Sequence, residues 1–585
     1  MLTTCIEIFK KTDMLKQVLD TYIPADGDYL IMQYVDGDFQ LKDHITVKMD
    51  KKSRTLNISP SEKRQIAEWD YYCKLLEMNK PIDPKKVIHS NNYLSFWIKK
   101  ESLENGKLTD EVIDRYYAIL SNPVQKYKNA KDRQLYEHAE EKLGVVNQEA
   151  LERIKNWIKV HIRKLPVEVT GKDYLKIFFL MPDTDVKVEG ERYFIPNLFN
   201  KNDYNVAIGE TIYGVPNNNM QMNAKKPFLE GKDRLYKVPL LQSSEDALQK
   251  KLFFDYLMNC AASGRNNVYL YSEHEEEGDY KIRSYSNKEL PDIMNGHGIY
   301  LRIRKDTNEA AIEQMDRITN YQQKLARPFT VRNVTGIDTE KLKYPLYARY
   351  TSLKEVSEMI DTIYFSRYLG NQYFTEPKDI AGLTGKRKML LLLGRNALFN
   401  WFYKGNEQMI RSLWNRLSWQ LIRVSVEEEN MIAVNHQFNV WIAIKEYFEG
   451  GNGNMADIMI AVRESIRSKI NAESESYQSI ESDEEYYYAA GQLAAFFLSR
   501  SRTKKRNHSV FNAFLNCKND KLLKEKLQIL FKKYNHDIEA KSKRFNHLYN
   551  MVVSYQPDGA VLQNYMTAGY ISYNLIYEKG DNKDE

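Results

Sequence analysis

Basic side chains are concentrated between residues 500 and 550. This segment holds fourteen Lys or Arg residues and four Asp or Glu residues, a local charge of +10 in a chain whose formal charge is +6. Such a charge density attracts a polyanion, and lysines that meet phosphates release counterions from a nucleic-acid backbone. The alternative is a solvated helix surface with favourable cations at a helix C-terminus, which alone explains Arg500 and Arg502. We favour backbone binding, with these candidate contacts: Lys504, Lys505, Arg506, Lys521, Lys524 and Lys532.

An Asn-rich segment offers a different chemistry. Residues 200–227 have little periodicity and are rich in Asn, Gly and Tyr, which predicts a long ordered loop. Loops of this length are usually functional or disordered, and we expect this one to be functional. Amide side chains can read base edges while lysines hold phosphate. The segment is therefore the best candidate for a sequence-reading element, through Asn219, Asn223, Lys225 and Lys226.

A predicted strand over residues 299–304 supplies a weaker signal. The period of two along a strand places Arg302 and Arg304 on one face, together with Tyr300. Arginine and tyrosine together can hold a phosphate and stack on a base. A solvated sheet face explains the same pattern equally well.

Complete catalytic and metal-binding motifs are missing from the sequence. Residues 382–386 resemble part of a phosphate loop, but Ile380 occupies the place of the first glycine and Arg387 replaces the magnesium-binding Ser or Thr. The ten histidines include no HExxH pair, and neighbouring cysteines are at least 68 positions apart, as Cys5 and Cys73 show. We predict no metal, no cofactor and no catalysis, with an unfamiliar active site as an alternative.

The elements that position these residues differ between the two halves of the chain. Composition is that of a globular protein, at 43% hydrophobic and 28% charged residues. Strand patterns flank the turn pair Asp36-Gly37 and predict a hairpin, and others fall at 174–181, 268–272, 280–285 and 299–304. Helical periodicity occupies 62–78 and 147–163. From about Glu340 the strand patterns stop.

The second half is predicted to be almost entirely helical. Helices are expected at 411–424, 431–448, 456–470, 484–502, 520–534, 538–551 and 560–577. The fold class is therefore α+β, with a mixed N-terminal half and a C-terminal helical bundle. Four domains are predicted: 1–170 α/β, 171–335 β-rich with the Asn-rich loop, 336–450 helical, and 451–585 the basic bundle. The last boundary falls at the Gly/Asn-rich residues 450–454.

Three segments resemble a known family. They are residues 93–100 (YLSFWIKK), residues 223–230 (NAKKPFLE), and residues 485–516, which include YYYAAGQL at 486–493 and RNHS at 506–509. They are similar to the large subunit of type I-B CRISPR surveillance complexes, a Csh-type, Cas-eight-like family. The likeness extends over nearly the whole chain.

The resemblance implies a non-catalytic role in antiviral defence. Such a subunit joins the backbone subunits of Cascade, which carry the guide RNA, recognises the motif that flanks the DNA target, and supports R-loop formation before a helicase-nuclease is recruited. It also implies that a separate small subunit starts inside the reading frame, at Met455 or at Met459. Some relatives hold zinc through cysteines in the central region, where this sequence has only Cys260, so no such site is expected.

Two other classes of function stay open at the level of sequence. The basic bundle is also compatible with docking onto an acidic protein partner, and the chain is compatible with an enzyme of unrecognised type. The most apolar run, residues 389–393, is too short to span a membrane, and charged residues interrupt the apolar pattern near the N-terminus. We expect a cytoplasmic protein without membrane contact.

Overall fold

The computed structural model divides into two compact units. Unit one comprises Met1–Ser286 and Gly298–Arg317, and unit two comprises Asn287–His297 and Ile318–Glu585. The residues described are 1–50, 55–168, 170–216, 241–274, 279–307, 309–339, 342, 344–383, 385–450, 454–472, 478–501, 508–539 and 542–578. The four predicted domains stay predictions.

The first sheet of unit one is built around the predicted hairpin. Its strands are β1 (Gly27–Val35), β2 (Asp38–Val47), β3 (Ser95–Lys99) and β4 (Tyr174–Leu180), in the order β2-β1-β4-β3. Val35 pairs with Asp38 across a two-residue turn in which Asp36 and Gly37 both have positive φ, at 50° and 93°. This is the backbone that an Asp-Gly hairpin turn requires, so the hairpin prediction is confirmed.

Nine helices are described in unit one. They are α1 (Leu2–Lys10), α2 (Met14–Thr21), α3 (Pro60–Cys73), α4 (Lys100–Glu104), α5 (Asp110–Ser121), α6 (Ala130–Leu143), α7 (Gln148–His161), α8 (Val186–Asn197) and α9 (Ser244–Ala262). The helix predicted over residues 62–78 extends further than the observed α3, which ends at Cys73. Helix α3 stops at Cys73 because the Asn91 side-chain amide donates to the carbonyl oxygens of Tyr72 (2.8 Å) and Lys74 (2.6 Å) and satisfies the helix terminus.

Two further sheets belong to the region before residue 322. One contains β5 (Val206–Ile208), β6 (Thr211–Gly214) and β7 (Gln242–Ser243), and the other has the order β11-β10-β8-β9. Its strands are β8 (Asn267–Ser272), β9 (Tyr280–Tyr285), β10 (Gly296–Lys305) and β11 (Ala310–Tyr321). The strands predicted at 268–272, 280–285 and 299–304 are confirmed. Strand β11 is missed by sequence because its mixed polar and apolar residues give no clear alternation.

Unit two is mostly helical, as predicted. After β12 (Lys324–Thr330) it contains one more strand, β13 (Arg349–Ser352), and the following helices: α10 (Leu353–Phe365), α11 (Leu369–Gln372), α12 (Gly385–Lys404), α13 (Gln408–Glu427), α14 (Met431–Phe448), α15 (Met455–Ile470), α16 (Asp483–Ser499), α17 (Phe511–Leu515), α18 (Asp520–Tyr534), α19 (Lys543–Ser554) and α20 (Gln563–Ile571). Strand β13 corrects the expectation that strands end near Glu340. It is set by pairing with β12 and by the buried Tyr350, which stacks on Phe329. The α+β fold class is confirmed.

Helices α15 to α20 form the C-terminal bundle around α16. Ser482 and Glu485 have the spacing of a capping box, which predicts a helix start, and Ser482 caps α16 by accepting a hydrogen bond from the Glu485 amide. The Glu485 carboxylate does not complete a capping box, because it accepts hydrogen bonds from Lys469 (2.7 Å) and Ser465 (2.6 Å) on α15. Although burial acts to raise it, these bonds hold the pKa of Glu485 below its ordinary value.

The last two predicted helices are shorter in the structure. Helix α19 begins at Lys543 rather than Ile538, since residues 535–537 form a separate 3-10 turn. Helix α20 ends at Ile571 rather than Tyr577. Beyond it the Leu575 amide donates to Gln492 Oε1 (2.8 Å) and the Asn574 side chain donates to the Gln492 carbonyl (2.8 Å), which holds a turn against α16.

Among the residues that the structure describes, no helix combines the length and the apolar character needed to cross a bilayer.

Candidate nucleic-acid interface

Helix α18 presents the exposed lysines predicted from the basic segment. Asn519 caps it by accepting a hydrogen bond from the Leu522 amide, and Leu523, Leu527, Leu530 and Tyr534 form its buried stripe. Lys521 and Lys532 are exposed on the opposite side, eleven residues and about three turns apart. At about 1.5 Å per residue they are separated by roughly 16 Å along the axis, close to five nucleotides of one strand.

The apolar residues Leu522, Leu523, Leu527 and Leu530 predict from the sequence that Leu522 belongs to the buried stripe of this helix, and this prediction is wrong. The exposed fraction of Leu522 is 42%, and that of Ile529 is 64%. The true stripe ends on Tyr534, so the helix is rotated relative to the predicted stripe. Leu522 and Ile529, seven residues apart, lie on one flank of the helix.

The rotation also places Lys524 inside the bundle. Its ammonium donates to the Tyr555 carbonyl (2.5 Å), lies 3.1 Å from Asp520 and sits over the Tyr486 ring. Burial and the neighbouring Asp520 carboxylate raise the pKa of Tyr486 far above its ordinary value, so its hydroxyl keeps a proton to donate to Asp520. Lys524 is therefore engaged in holding α18 against the rest of the bundle.

The exposed charged residues on α18 and just before it are mostly lysines. Lys518, Lys521, Lys532 and Lys533 are exposed, and Glu525 is exposed between them. We call Lys518, Lys521, Lys532 and Lys533 the α18 lysine row.

Other basic residues of the bundle serve internal contacts. The Arg500 guanidinium lies over the rings of Phe496 and Tyr577 and 4.0 Å from Asp537. Arg544 donates to the Glu578 carbonyl and to Asn471. Lys504, Lys505 and Arg506 lie outside the described residues, between Ser501 and His508. Among the described basic residues of the bundle, Arg500, Arg544 and Lys524 thus make internal contacts, whereas the α18 lysine row is exposed.

The Arg302 and Arg304 side chains share Glu313 as a neighbour on β10 and β11. Arg304 Nε donates to Glu313 Oε1 (2.9 Å), and Arg302 Nε lies 3.7 Å from Glu313 Oε2. The predicted common face is therefore present. Arg302 is buried, however, and donates to Asn267 Oδ1 (3.2 Å), which also accepts from the buried Tyr300 hydroxyl. Only Arg304, with a 57% exposed side chain, is open to a ligand in this conformation.

The Asn-rich segment contains more secondary structure than predicted. Strands β5 and β6 and the bridge between Phe199 and Pro216 replace part of the expected loop. These strands are too short to show a sequence pattern, and β6 is also fixed by pairing with the distant β7. Asn219, Asn223, Lys225 and Lys226 lie outside the described residues. Their segment, 217–240, joins β6 to β7, which pair at Tyr213 with Ser243.

Lysines that sequence reasoning missed bind the main chain at the start of the Asn-rich segment, between Asn197 and Asn205. Lys80 donates to the carbonyl oxygens of Asn197 (2.7 Å) and Phe199 (2.6 Å), and Lys131 donates to those of Asp203 and Asn205, both at 2.7 Å. Main-chain acceptors leave no signature in the sequence, so no pattern could have identified these anchors.

The incomplete phosphate loop has a structural explanation. Arg387 is buried and donates to the Tyr364 carbonyl (2.8 Å), Ser425 (3.1 Å) and Glu428 (2.6 Å), while Lys386 pairs with Glu427. Both cations hold α12 against neighbouring elements. Within the described ranges, no cluster of three or more His, Cys, Asp or Glu side chains is arranged to hold a metal.

Comparison with protein-family models, with curated proteins and with solved structures finds no match for this chain.

Proposed function

We propose that the chain is the large subunit of a type I-B CRISPR Cascade complex. It recognises a target-flanking motif in double-stranded DNA, supports R-loop formation and recruits a helicase-nuclease, without catalysis of its own. The observation that carries this proposal is the α18 lysine row on a basic helical bundle. Guide pairing supplies most of the sequence information in such complexes, so the protein needs only to read the flanking duplex and hold single strand.

In this proposal, affinity for the DNA backbone and recognition of the flanking motif come from different segments of the chain. Lys504, Lys505 and Arg506, together with Lys521 and Lys532, contact the DNA backbone, whereas Lys524 stabilises the bundle. Asn219, Asn223, Lys225 and Lys226 read the flanking motif, and Lys80 and Lys131 hold the main chain between Asn197 and Asn205, earlier in the Asn-rich segment. Backbone contacts contribute no sequence discrimination directly, which makes the two roles separable by mutation.

The reader role is tested with the assembled guide complex. The complex is incubated with target duplexes whose flanking bases are randomised, and the bound pool is sequenced. The wild-type complex should enrich one flanking motif. Replacing Asn219, Asn223, Lys225 and Lys226 by Ala should abolish the enrichment, whereas replacing Lys521 and Lys532 should lower total binding and preserve the motif. A wild-type pool without enrichment would refute the reader role.

Internal initiation at Met455 is part of the same proposal. Met455 is the first residue of α15, so a product starting there retains the whole bundle. A start at Met459 would remove the first helical turn and the buried Ala456. An immunoblot of a C-terminally tagged gene should show a short product that disappears in Met455→Leu. Persistence of that product would exclude this start.

A second candidate is a protein-docking module, favoured by the exposed pair Leu522 and Ile529 beside basic side chains. On this alternative an acidic partner covers the flank of α18. A partner that is captured after nuclease treatment and is lost in Leu522→Gln/Ile529→Gln, with DNA binding absent from the wild type, would favour docking. DNA binding that survives this double substitution would oppose it.

A further inference from the structure

Unit one contains a cavity of about 700 Å³ that is separate from the residues discussed so far. Its walls come from the end of α2, the residues that lead into α3, the first turn of α3, and the end of α9 with the residues after it. The volume lies within the range of small-molecule sites, roughly 300–1,000 Å³.

Four cations line this cavity. They are Lys16, Lys63, Arg64 and Arg265, and Asp20 is the one acidic residue among the lining side chains described. Lys16, Arg64 and Arg265 are exposed and Lys63 is half-buried. The lining therefore has an excess of positive charge, which favours an anionic ligand.

Main-chain acceptors hold three of these cations in place. Arg265 donates through Nε (2.9 Å) and Nη2 (2.5 Å) to the Ser284 carbonyl, and Lys63 donates to the Asp20 carbonyl (2.8 Å). Arg64 Nε donates to the Pro60 carbonyl (3.4 Å). Neutral acceptors orient these groups without neutralising them. The remaining donors are pre-positioned for a ligand, which lowers the entropy lost on binding.

The rest of the cavity wall is apolar. Leu19, Ile23, Met49, Leu56 and Ile58 are all half-buried and line it. A ligand that fits must therefore combine an anionic group with a compact apolar or aromatic body. A phosphate group can accept from more than one cation through its oxygens, and arginine binds it through paired donors.

We propose that this cavity binds a nucleotide, with its phosphate among Lys16, Lys63, Arg64 and Arg265 and its base against the apolar wall. The nucleotide is either free or the 5′-terminal residue of a strand. This site goes beyond the proposed function, because it uses no residue of the bundle or of the motif reader.

The test uses the full chain and the fluorescent nucleotide N-methylanthraniloyl-AMP, followed by anisotropy. AMP should displace the probe, and adenosine should require at least about tenfold more ligand. Lys16→Met/Arg64→Gln should weaken probe binding about tenfold or more. The matched control, Lys42→Met/Lys48→Met, removes one exposed lysine of β2 and one directly after it, neither of which lines the cavity, and should leave binding unchanged.

The proposal is overturned if the probe does not bind, if adenosine competes as well as AMP, or if the control variant loses as much affinity as the cavity variant. If a 5′-phosphorylated hexanucleotide displaces the probe better than AMP does, the ligand is the 5′ end of a strand. If AMP displaces the probe better, the ligand is a free nucleotide. Lys521→Ala/Lys532→Ala should leave probe binding intact, so failure of this site and failure of the bundle are distinguishable.

Discussion

Two lysines three residues apart on α18 have different physical roles. Lys521 is exposed, whereas the Lys524 ammonium is held by the Tyr555 carbonyl and by Asp520 at 3.1 Å. A hydrogen bond from an ionised donor is stronger than a neutral one, and removing the donor also leaves its acceptor unsatisfied.

Replacing Lys524 by Met should therefore lower the free energy of unfolding by about 1.5–3 kcal/mol, while Lys521→Met should change it by less than about 0.5 kcal/mol. Urea denaturation followed by circular dichroism measures both. Equal effects of the two substitutions would show that Lys524 is not a structural residue.

Lys126 is a second buried cation whose charge state matters. Its ammonium donates to the carbonyl oxygens of Lys80 (3.2 Å) and Pro81 (2.9 Å), next to the anchor that holds Asn197 and Phe199. Burial, with a smaller contribution from the Lys80 charge, lowers the pKa of Lys126 from 10.5 to about 7. In the folded state it releases its proton near neutrality, and in the unfolded chain it retains the proton up to about 10.5.

Between these two values the unfolded chain binds more protons at this position, so stability should rise with pH from about 7 toward 10.5. Lys126→Met removes this contribution. The difference in unfolding free energy, wild type minus Lys126→Met, should therefore increase between pH 7 and pH 9 in urea titrations. A difference that does not change with pH would contradict the lowered pKa.

At the scale of elements, the bundle depends on a close crossing of α16 and α20. A Cβ at Gly491 would overlap the Met566 carbonyl oxygen, and one at Gly569 would overlap that of Tyr488. Backbone atoms cannot move aside as a flexible side chain can. The two glycines permit the helices to pack at this distance.

Gly491→Ala should therefore destabilise unit two by about 3 kcal/mol, at the upper end of typical overpacking costs. Gly385→Ala, at the start of α12, is the matched control because its new Cβ would meet no atom within 4 Å. Thermal unfolding should show a clear loss for Gly491→Ala and little change for the control. Equal thermal stability of both variants would exclude a tight crossing.

Long helices with a clear periodicity were predictable from sequence, and short strands were not. Helices α14 and α18 have the predicted bounds, since their apolar residues recur over several turns. Strands β6 and β13 depend on the more distant partners β7 and β12, which a local pattern does not contain, and β5 has only three residues. The site shows the same limit: the lysine-rich helix was predictable, but its rotation, which turns Lys524 toward the bundle and exposes Leu522, depends on tertiary packing.

For the whole molecule, the central claim is that the basic bundle binds a nucleic-acid backbone. Each lysine that meets a phosphate adds to the salt dependence, with a slope of about 0.7 per contact for a single strand. The measurement is the affinity of the full chain for a 20-nucleotide single-stranded DNA from about 50 to 200 mM salt. Lys42→Ala/Lys48→Ala, at exposed positions on β2 and directly after it, is the matched control.

The account predicts that Lys521→Ala/Lys532→Ala flattens the slope of log affinity against log salt by about 1.4, as expected for two lost contacts. Replacing Lys504, Lys505 and Arg506 by Ala should flatten it by about 2, and the control should retain the wild-type slope. Wild-type slopes in both bundle variants would contradict the claim and remove the bundle from DNA binding.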